Sequence, residues 1–177
     1  MINVTWEDAR AFCDYYGYRL PTEAQWEKAA RGSEPRRYPW GDSWDAQRCN
    51  NWEFPENSVM LNLHEGGGTL PAGWFDGSRS PAKNGASPYG AMDMAGNVWE
   101  WCEDWYNFDY YAQSPGRNPE PKFGKPRGSP NGKILLGGSW RNLAYKCRVT
   151  HRGNYDPVTC RSECFGFRCV RKIPGGR

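Results

Sequence analysis

Apolar residues at helical spacing open the chain. Trp6, Ala9, Phe12, Cys13 and Tyr16 fall on one face of a helix. Thr5 precedes them and Asp8 follows three positions later, the spacing at which each side chain satisfies a free backbone amide at a helix start. Gly17 ends the run, because glycine enters left-handed backbone without steric cost. Arg19-Leu20-Pro21 reads as extended, since the residue before a proline avoids the helical region. Thr22 then caps a second helix, with Gln25 in the reciprocal position, and that helix reaches Arg31 and stops at Gly32.

From 32 to 87 the pattern dissolves into turns: Pro39-Trp40-Gly41-Asp42, Asn50-Asn51-Trp52, Gly66-Gly67-Gly68 and Ser80-Pro81. Irregular loops pinned by Trp40, Trp44, Trp52 and Trp74 are expected there. So long an irregular stretch needs ordering beyond regular hydrogen bonds, and a bound cation would supply it. A period of two returns at Val98-Trp99-Glu100-Trp101-Cys102, which predicts a strand. From 107 to 132 the chain is a Pro/Gly-rich loop carrying Tyr110 and Tyr111. Lys133 to Leu136 predicts a short strand, and Phe167 to Val170 the last one.

Composition narrows this to one domain. The chain has 177 residues, enough for a single core. Only 38% are hydrophobic and the mean hydropathy is -0.90, and no apolar run approaches the roughly 20 residues of a membrane span. Ten Trp and ten Tyr offset the shortage of aliphatic side chains, while Gly 21 and Pro 14 call for many turns. The fold class expected is α+β, one domain over 1–171 with a disordered tail at 172–177. A net charge of +3 without a concentrated basic face argues against nucleic acid as a partner. Arg36 and Arg37 read as a solvated turn.

The candidate chemistry lies in three places. Seven cysteines stand at 13, 49, 102, 147, 160, 164 and 169, with His64 and His151 the only histidines. No C-x-x-C pair is present, which disfavours zinc. Asp93, Asn97 and Glu100 put oxygens around a glycine-containing turn, a mix that suits a hard cation such as calcium. Residues 136–171 open on Gly137-Gly138-Ser139-Trp140 and close on a Gly-Phe-Arg-Cys-Val run. Between these anchors the chain is irregular and chemically mixed, which marks a functional surface more than a core.

Five stretches in order, RLPTEAQWEKAARG, YPWGD, NGASPYGAMDMAGNVWEWCEDW, LLGGSW and GFRCVR, resemble the formylglycine-generating enzyme (sulfatase-modifying factor) family. The resemblance covers nearly the whole chain. It implies a C-type-lectin-like fold with two helices, small antiparallel sheets, abundant loops and adjacent termini. It implies calcium held by the side chains of Asp93 and Glu100 and the carbonyls of Gly96 and Val98. Asn50 and Asn51 resemble part of a second calcium site, with the matching acid sought near Glu65. A disulfide between Cys13 and Cys169 is also implied.

The oxidases of this family bind copper through two cysteines five positions apart, just after Gly-Gly-Ser. The second position falls on Cys147 and the first on Asn142. An amide oxygen does not replace a thiolate on Cu(I), because both thiolate and Cu(I) are soft. Copper at that pair is therefore not expected.

Variable proteins of diversity-generating retroelements use the same fold as a display scaffold, and the C-terminal segment is similar to theirs. In such proteins an AAC codon rewritten at its adenines gives many residues but never Lys, Glu, Gln, Met or Trp. Arg141, Asn142, Leu143, Tyr145, His151, Asn154, Tyr155, Cys160, Ser162, Cys164 and Phe165 are all reachable, whereas Lys146 and Glu163 would be fixed. The resulting reading is a non-enzymatic module whose segment 141–165 binds a protein or cell-surface ligand. Its alternatives are a formylglycine-generating cysteine oxidase using Cys147 and a catalytically silent accessory domain. No signal peptide is visible; attachment to a virion or cell surface would come through other sequence.

Overall fold

A computed structural model describes residues 1–54, 68–80, 83–116, 119 and 132–171. His64, Glu65, Gly66, Gly67, Pro81 and the 172–177 tail lie outside the described residues. Helix α1 spans Trp6–Tyr15 and α2 spans Glu23–Arg31. Strand β1 is Trp99–Trp105, a short helix α3 is Tyr110–Gln113, and β2 is Lys133–Leu136. Strands β3, Gly153–Tyr155, and β4, Phe165–Gly166, follow. The sheet order is β3-β2-β1-β4. No described helix is long and apolar enough to cross a membrane.

Both helices start as their sequences require. Asp8 N donates to Thr5 Oγ1 at 3.1 Å and Thr5 N donates back to Asp8 Oδ2 at 2.9 Å. Thr22 and Gln25 form the same reciprocal pair at 3.1 and 3.2 Å. Two orphan amides are thereby satisfied at each start. Helix α2 ends at Gly32, whose φ of 74° only glycine adopts cheaply. One residue of the α1 stripe is misassigned by spacing: Tyr16 caps the helix and is exposed, its ring leaning on Phe12 at 4.8 Å.

Strand β1 is the centre of the molecule. Its odd positions Trp99 and Trp101 pack with Leu135, Ala9, Cys13, Leu20 and Phe165 on one face. Cys102 of β1 and Ile134 and Leu136 of β2 pack with Trp26 and Ala30 of α2 on the other. The alternation of side chains along a strand thus serves two apolar layers, one lined by each helix. β2 lies antiparallel to β1, pairing Trp101 with Leu135. Lys133 is buried at its start because its ammonium sits 4.0 Å from the Trp6 ring and 4.4 Å from the Trp105 ring and donates to the Glu103 carbonyl at 2.6 Å.

Three expectations are corrected. The final strand is Phe165–Gly166, not Phe167 to Val170, and it runs parallel to β1, so the sheet is mixed and not wholly antiparallel. Beyond Gly166 the chain leaves β1, Arg168 engages Glu100, and Val170 pairs only with Arg19. Tyr110–Gln113 is helical where an unbroken loop was expected. Trp52 pins nothing: it is 56% exposed, while Trp40 and Trp44 pack on the Cys49 cluster and Trp74 on Phe54 and Phe75. The two ends meet as the resemblance implies, with Ile2 bridging Gly166.

Candidate functional site

The C-terminal segment is clamped at both ends. At its start Gly137 and Gly138 hold φ of 96° and 74°. A Cβ on Gly138 would stand 2.9 Å from Cys147 Sγ and 3.0 Å from the Lys146 carbonyl, so the turn closes only around a glycine. Asn142 Oδ1 accepts from Ser139 N and Ser139 Oγ, both at 2.9 Å, and Trp140 N donates to the Asn97 carbonyl at 3.0 Å. At its other end Phe165 and Gly166 pair with Trp99 and Glu100.

Between the clamps the candidate residues separate into two groups. Arg141, Leu143, Tyr145 and Tyr155 are exposed, Tyr145 at 49%. Arg141 lies 4.5 Å over the Trp140 ring and pairs with Glu163 at 2.7 Å. Tyr145 meets the half-buried His151 edge-on at 5.8 Å, and His151 in turn touches Trp99. Burial first, then Arg148 and Lys146, lower the His151 pKa below its ordinary value, so the ring is neutral at pH 7.

The second group supports the first. Cys164 and Phe165 are buried in the main core and offer no contact area, which removes them from the expected ligand-binding set. Asn142, Asn154, Cys160 and Ser162 are only partly accessible. Asn142 is committed to the Ser139 turn, Asn154 pairs in β3 with Ile134, Cys160 packs on the main core, and Ser162 Oγ accepts from Cys164 N at 3.1 Å. Conversely, spacing gave no reason to include Trp52. Its amide donates to the Asn142 carbonyl at 3.1 Å, which joins the backbone of an exposed tryptophan to the segment.

The expected cation ligands sit on a loop bent by three left-handed residues, Asp93, Gly96 and Asn97, with φ of 57°, 73° and 62°. Asp93, Val98 and Glu100 line one cleft of about 560 Å³ together with Arg168. There Glu100 is already compensated: Arg168 Nη2 donates to Oε1 at 2.7 Å, Arg168 Nε donates to Oε2, and Trp26 Nε1 donates to Oε2 at 2.6 Å. Asp93 Oδ2 accepts from Gly73 N at 2.7 Å, and burial pushes its carboxyl above the ordinary range. Among the described residues no three His, Cys, Asp or Glu side chains converge on a metal position. The second set differs within itself. Among the described residues Asn50 Oδ1 is buried without a hydrogen-bond partner, whereas Asn51 is tied to Ala46, Cys49 and Glu53.

Cys147 does not stand alone. Its thiol is fully buried and packs with Cys49 in a small cluster with Ala95, Trp40 and Trp44. No sequence spacing pointed to Cys49. The Cys13 and Cys169 sulfurs lie 3.4 Å apart as thiols, in contact but beyond a covalent bond.

Comparison with known proteins fits this architecture. The sulfatase-modifying factor enzyme 1-like domain profile matches residues 1–173. The serine/threonine-protein kinase pkn1 of Chlamydia pneumoniae is 36% identical over 176 residues, 98% of this chain and 24% of its own length. The formylglycine-generating enzyme of Streptomyces coelicolor is 39% identical over 180 residues, 96% of this chain and 52% of its own. The chain therefore spans about a quarter of the first and about half of the second. Among solved structures, Treponema denticola variable protein 1 superimposes with a TM-score of 0.70 at 24% identity, over 94% of this chain and 69% of its own, a likeness of fold. With a C-type-lectin-like α+β fold and a profile match over almost its whole length, the chain belongs to the sulfatase-modifying factor enzyme 1-like domain family.

Proposed function

We propose that this domain is a non-enzymatic display module, the variable protein of a diversity-generating retroelement, which binds a protein or cell-surface ligand through its C-terminal segment. One observation carries the reading. Arg141, Leu143, Tyr145 and Tyr155 are exposed on a stretch whose two ends are fixed in the core, and the exposed Trp52 is joined to it through Asn142. Aromatic and Arg side chains are the usual energetic anchors of interfaces, and a clamped backbone loses little entropy on binding. Of these positions Tyr155 also reaches the layer below, its ring 4.8 Å from that of the buried Phe165.

The DNA downstream of the gene tests this. A near-copy of the stretch encoding 141–165, rich in adenine where the two differ and next to a reverse transcriptase, is the expected finding. Differences should fall at 141, 143, 145 and 155 and spare the buried positions 164 and 165. Absence of any such copy overturns the display reading. A second reading, a copper-dependent cysteine oxidase, is favoured by the packing of Cys147 with a second cysteine; a silent accessory domain is the third.

Calcium is proposed as a structural ion of the scaffold. Its support is the unpartnered Asn50 Oδ1 and the burial-raised Asp93 carboxyl, both of which a hard oxygen-seeking cation would relieve. Glu100 would have to exchange Arg168 for the ion. Millimolar calcium is expected to raise the melting temperature, by about 2–4 °C for each kcal/mol of linkage, and a chelator to reverse it. An unchanged melting curve removes calcium from the description.

A further inference from the structure

The net charge of +3 is not spread over the chain. Positions 141–165 hold five basic residues against two acidic ones, and the rest of the chain is balanced at eighteen of each. Three of the five are neutralised where they stand: Arg141 by Glu163 at 2.7 Å, Arg152 by Glu23 at 2.8 Å and Arg161 by Asp8 at 3.8 Å. Lys146 and Arg148 are left, and neither forms an ion pair among the described residues. The turn Ala144–Cys147 carries Lys146 beside the half-exposed Tyr145, ammonium and ring 5.9 Å apart. Arg148 follows, and its Nε donates to the Tyr145 carbonyl at 2.9 Å. The Val149 amide donates to the Arg37 carbonyl at 2.9 Å, which straps a third cation, the exposed Arg37, to the same turn. Asp42, whose Oδ1 accepts from the Arg37 amide at 3.0 Å, offsets at most one of the three charges.

We infer that Arg37, Lys146 and Arg148 form a constant cationic rim beside the exposed Leu143 and Tyr145, and that the partner of this surface is a protein presenting an acidic segment. On the display reading, on which this rests, rewriting of AAC codons reaches 143 and 145 but cannot produce Lys146, and Arg37 lies outside the segment. The rim therefore keeps its charge while the contact residues change. The two parts do different work. Opposite charges across an interface steer the encounter and reject like-charged partners, whereas aromatic anchors supply affinity. Carboxylates suit the rim because a guanidinium can meet both oxygens of one at once. A nucleic-acid backbone fits less well, since it calls for a continuous stripe of cations and these three flank an uncharged patch. Burial, and then Arg148 and Lys146, keep His151 neutral, so the charge of the rim rests on Lys and Arg and is steady around pH 7.

The probe is a labelled peptide of Glu interspersed with Leu, followed in association kinetics beside the same peptide with Gln or Lys in place of Glu and a single-stranded DNA oligonucleotide of equal charge. The Glu peptide should bind and the others should not, and its association rate should fall steeply between about 50 and 200 mM salt. The triple variant Arg37→Gln, Lys146→Gln, Arg148→Gln should associate about tenfold more slowly. Lys28→Gln, Arg79→Gln, Arg171→Gln removes the same charge from exposed positions elsewhere and should stay within about twofold of wild type. Leu143→Ser with Tyr145→Ser should lower affinity and keep the choice of Glu over Gln. No binding of the Glu peptide, equal binding of the Gln peptide, equal or tighter binding of DNA, or an equal loss in both triple variants overturns the inference. If a variant does not fold, the wild type decides, and an association rate indifferent to salt overturns it equally. The downstream DNA survey answers separately. A missing template copy removes the display reading and leaves the measured charge preference of the surface; a copy without peptide binding removes only the acidic partner.

Discussion

Arg168→Met is expected to destabilise the fold by about 3–5 kcal/mol, the usual cost of removing one member of a buried ion pair. Arg168 satisfies both oxygens of Glu100, which is buried and whose Oε2 also accepts from the Trp26 indole. The same guanidinium donates to the Met92 carbonyl at 3.1 Å, so the change also frees a backbone acceptor at the bend. The loss should deepen with pH. Asp93 is pushed up chiefly by burial and by Glu100 and is held down in part by Arg168. Without Arg168 its carboxyl rises further. A carboxyl raised in the folded state costs stability as pH climbs from its unfolded value, about 3.9, through the folded one. The deficit is therefore smaller at pH 4 than at pH 8. Urea unfolding at both values measures it, and the double variant with Glu100→Gln should recover much of the loss. A deficit under about 1 kcal/mol at pH 8 would show that the pair is not what holds this bend.

Gly96→Ala should be comparably severe. A Cβ at Gly96 would stand 2.1 Å from the Asn50 carbonyl oxygen, with φ at 73°. The left-handed conformation alone costs a side chain about 1–2 kcal/mol. The overlap adds about 1–3 kcal/mol for displaced backbone. That backbone cannot move freely: Asn97 N donates to the Asn50 carbonyl at 2.7 Å and Gly96 N to the Gly137 carbonyl at 2.8 Å. One glycine thus joins the acidic bend, the Asn50 loop and the Gly-Gly-Ser turn. Calorimetry measures the loss; a melting temperature within a degree or two of wild type would sink the steric argument.

Local features were legible because their causes are local. Thr5 with Asp8, and Thr22 with Gln25, sit within one helical turn, so spacing alone fixes their hydrogen bonds. The alternation around Trp99 announces a strand because the pleat has a period of two. Where a residue has two uses, spacing could not choose. Tyr16 continues the apolar stripe of α1 but lies past its last turn and faces solvent. Phe165 belongs to a run rich in candidate contact residues, yet it pairs with Trp99 and is buried. Trp52 reads as an aromatic that pins its loop, yet it is largely exposed.

By itself the sequence determined the two capped helices, the central strand, the family fold through five ordered motifs, and the segment 141–165 as the candidate surface. Tertiary structure alone decided which members of that segment face water, that Arg168 neutralises Glu100 from 68 positions away, and that Cys49 and Cys147 share one buried cluster. The reason is physical: caps and periods are set by neighbours within a turn or a pleat. Burial and charge pairing depend on which distant backbones the core draws together, and no spacing records that.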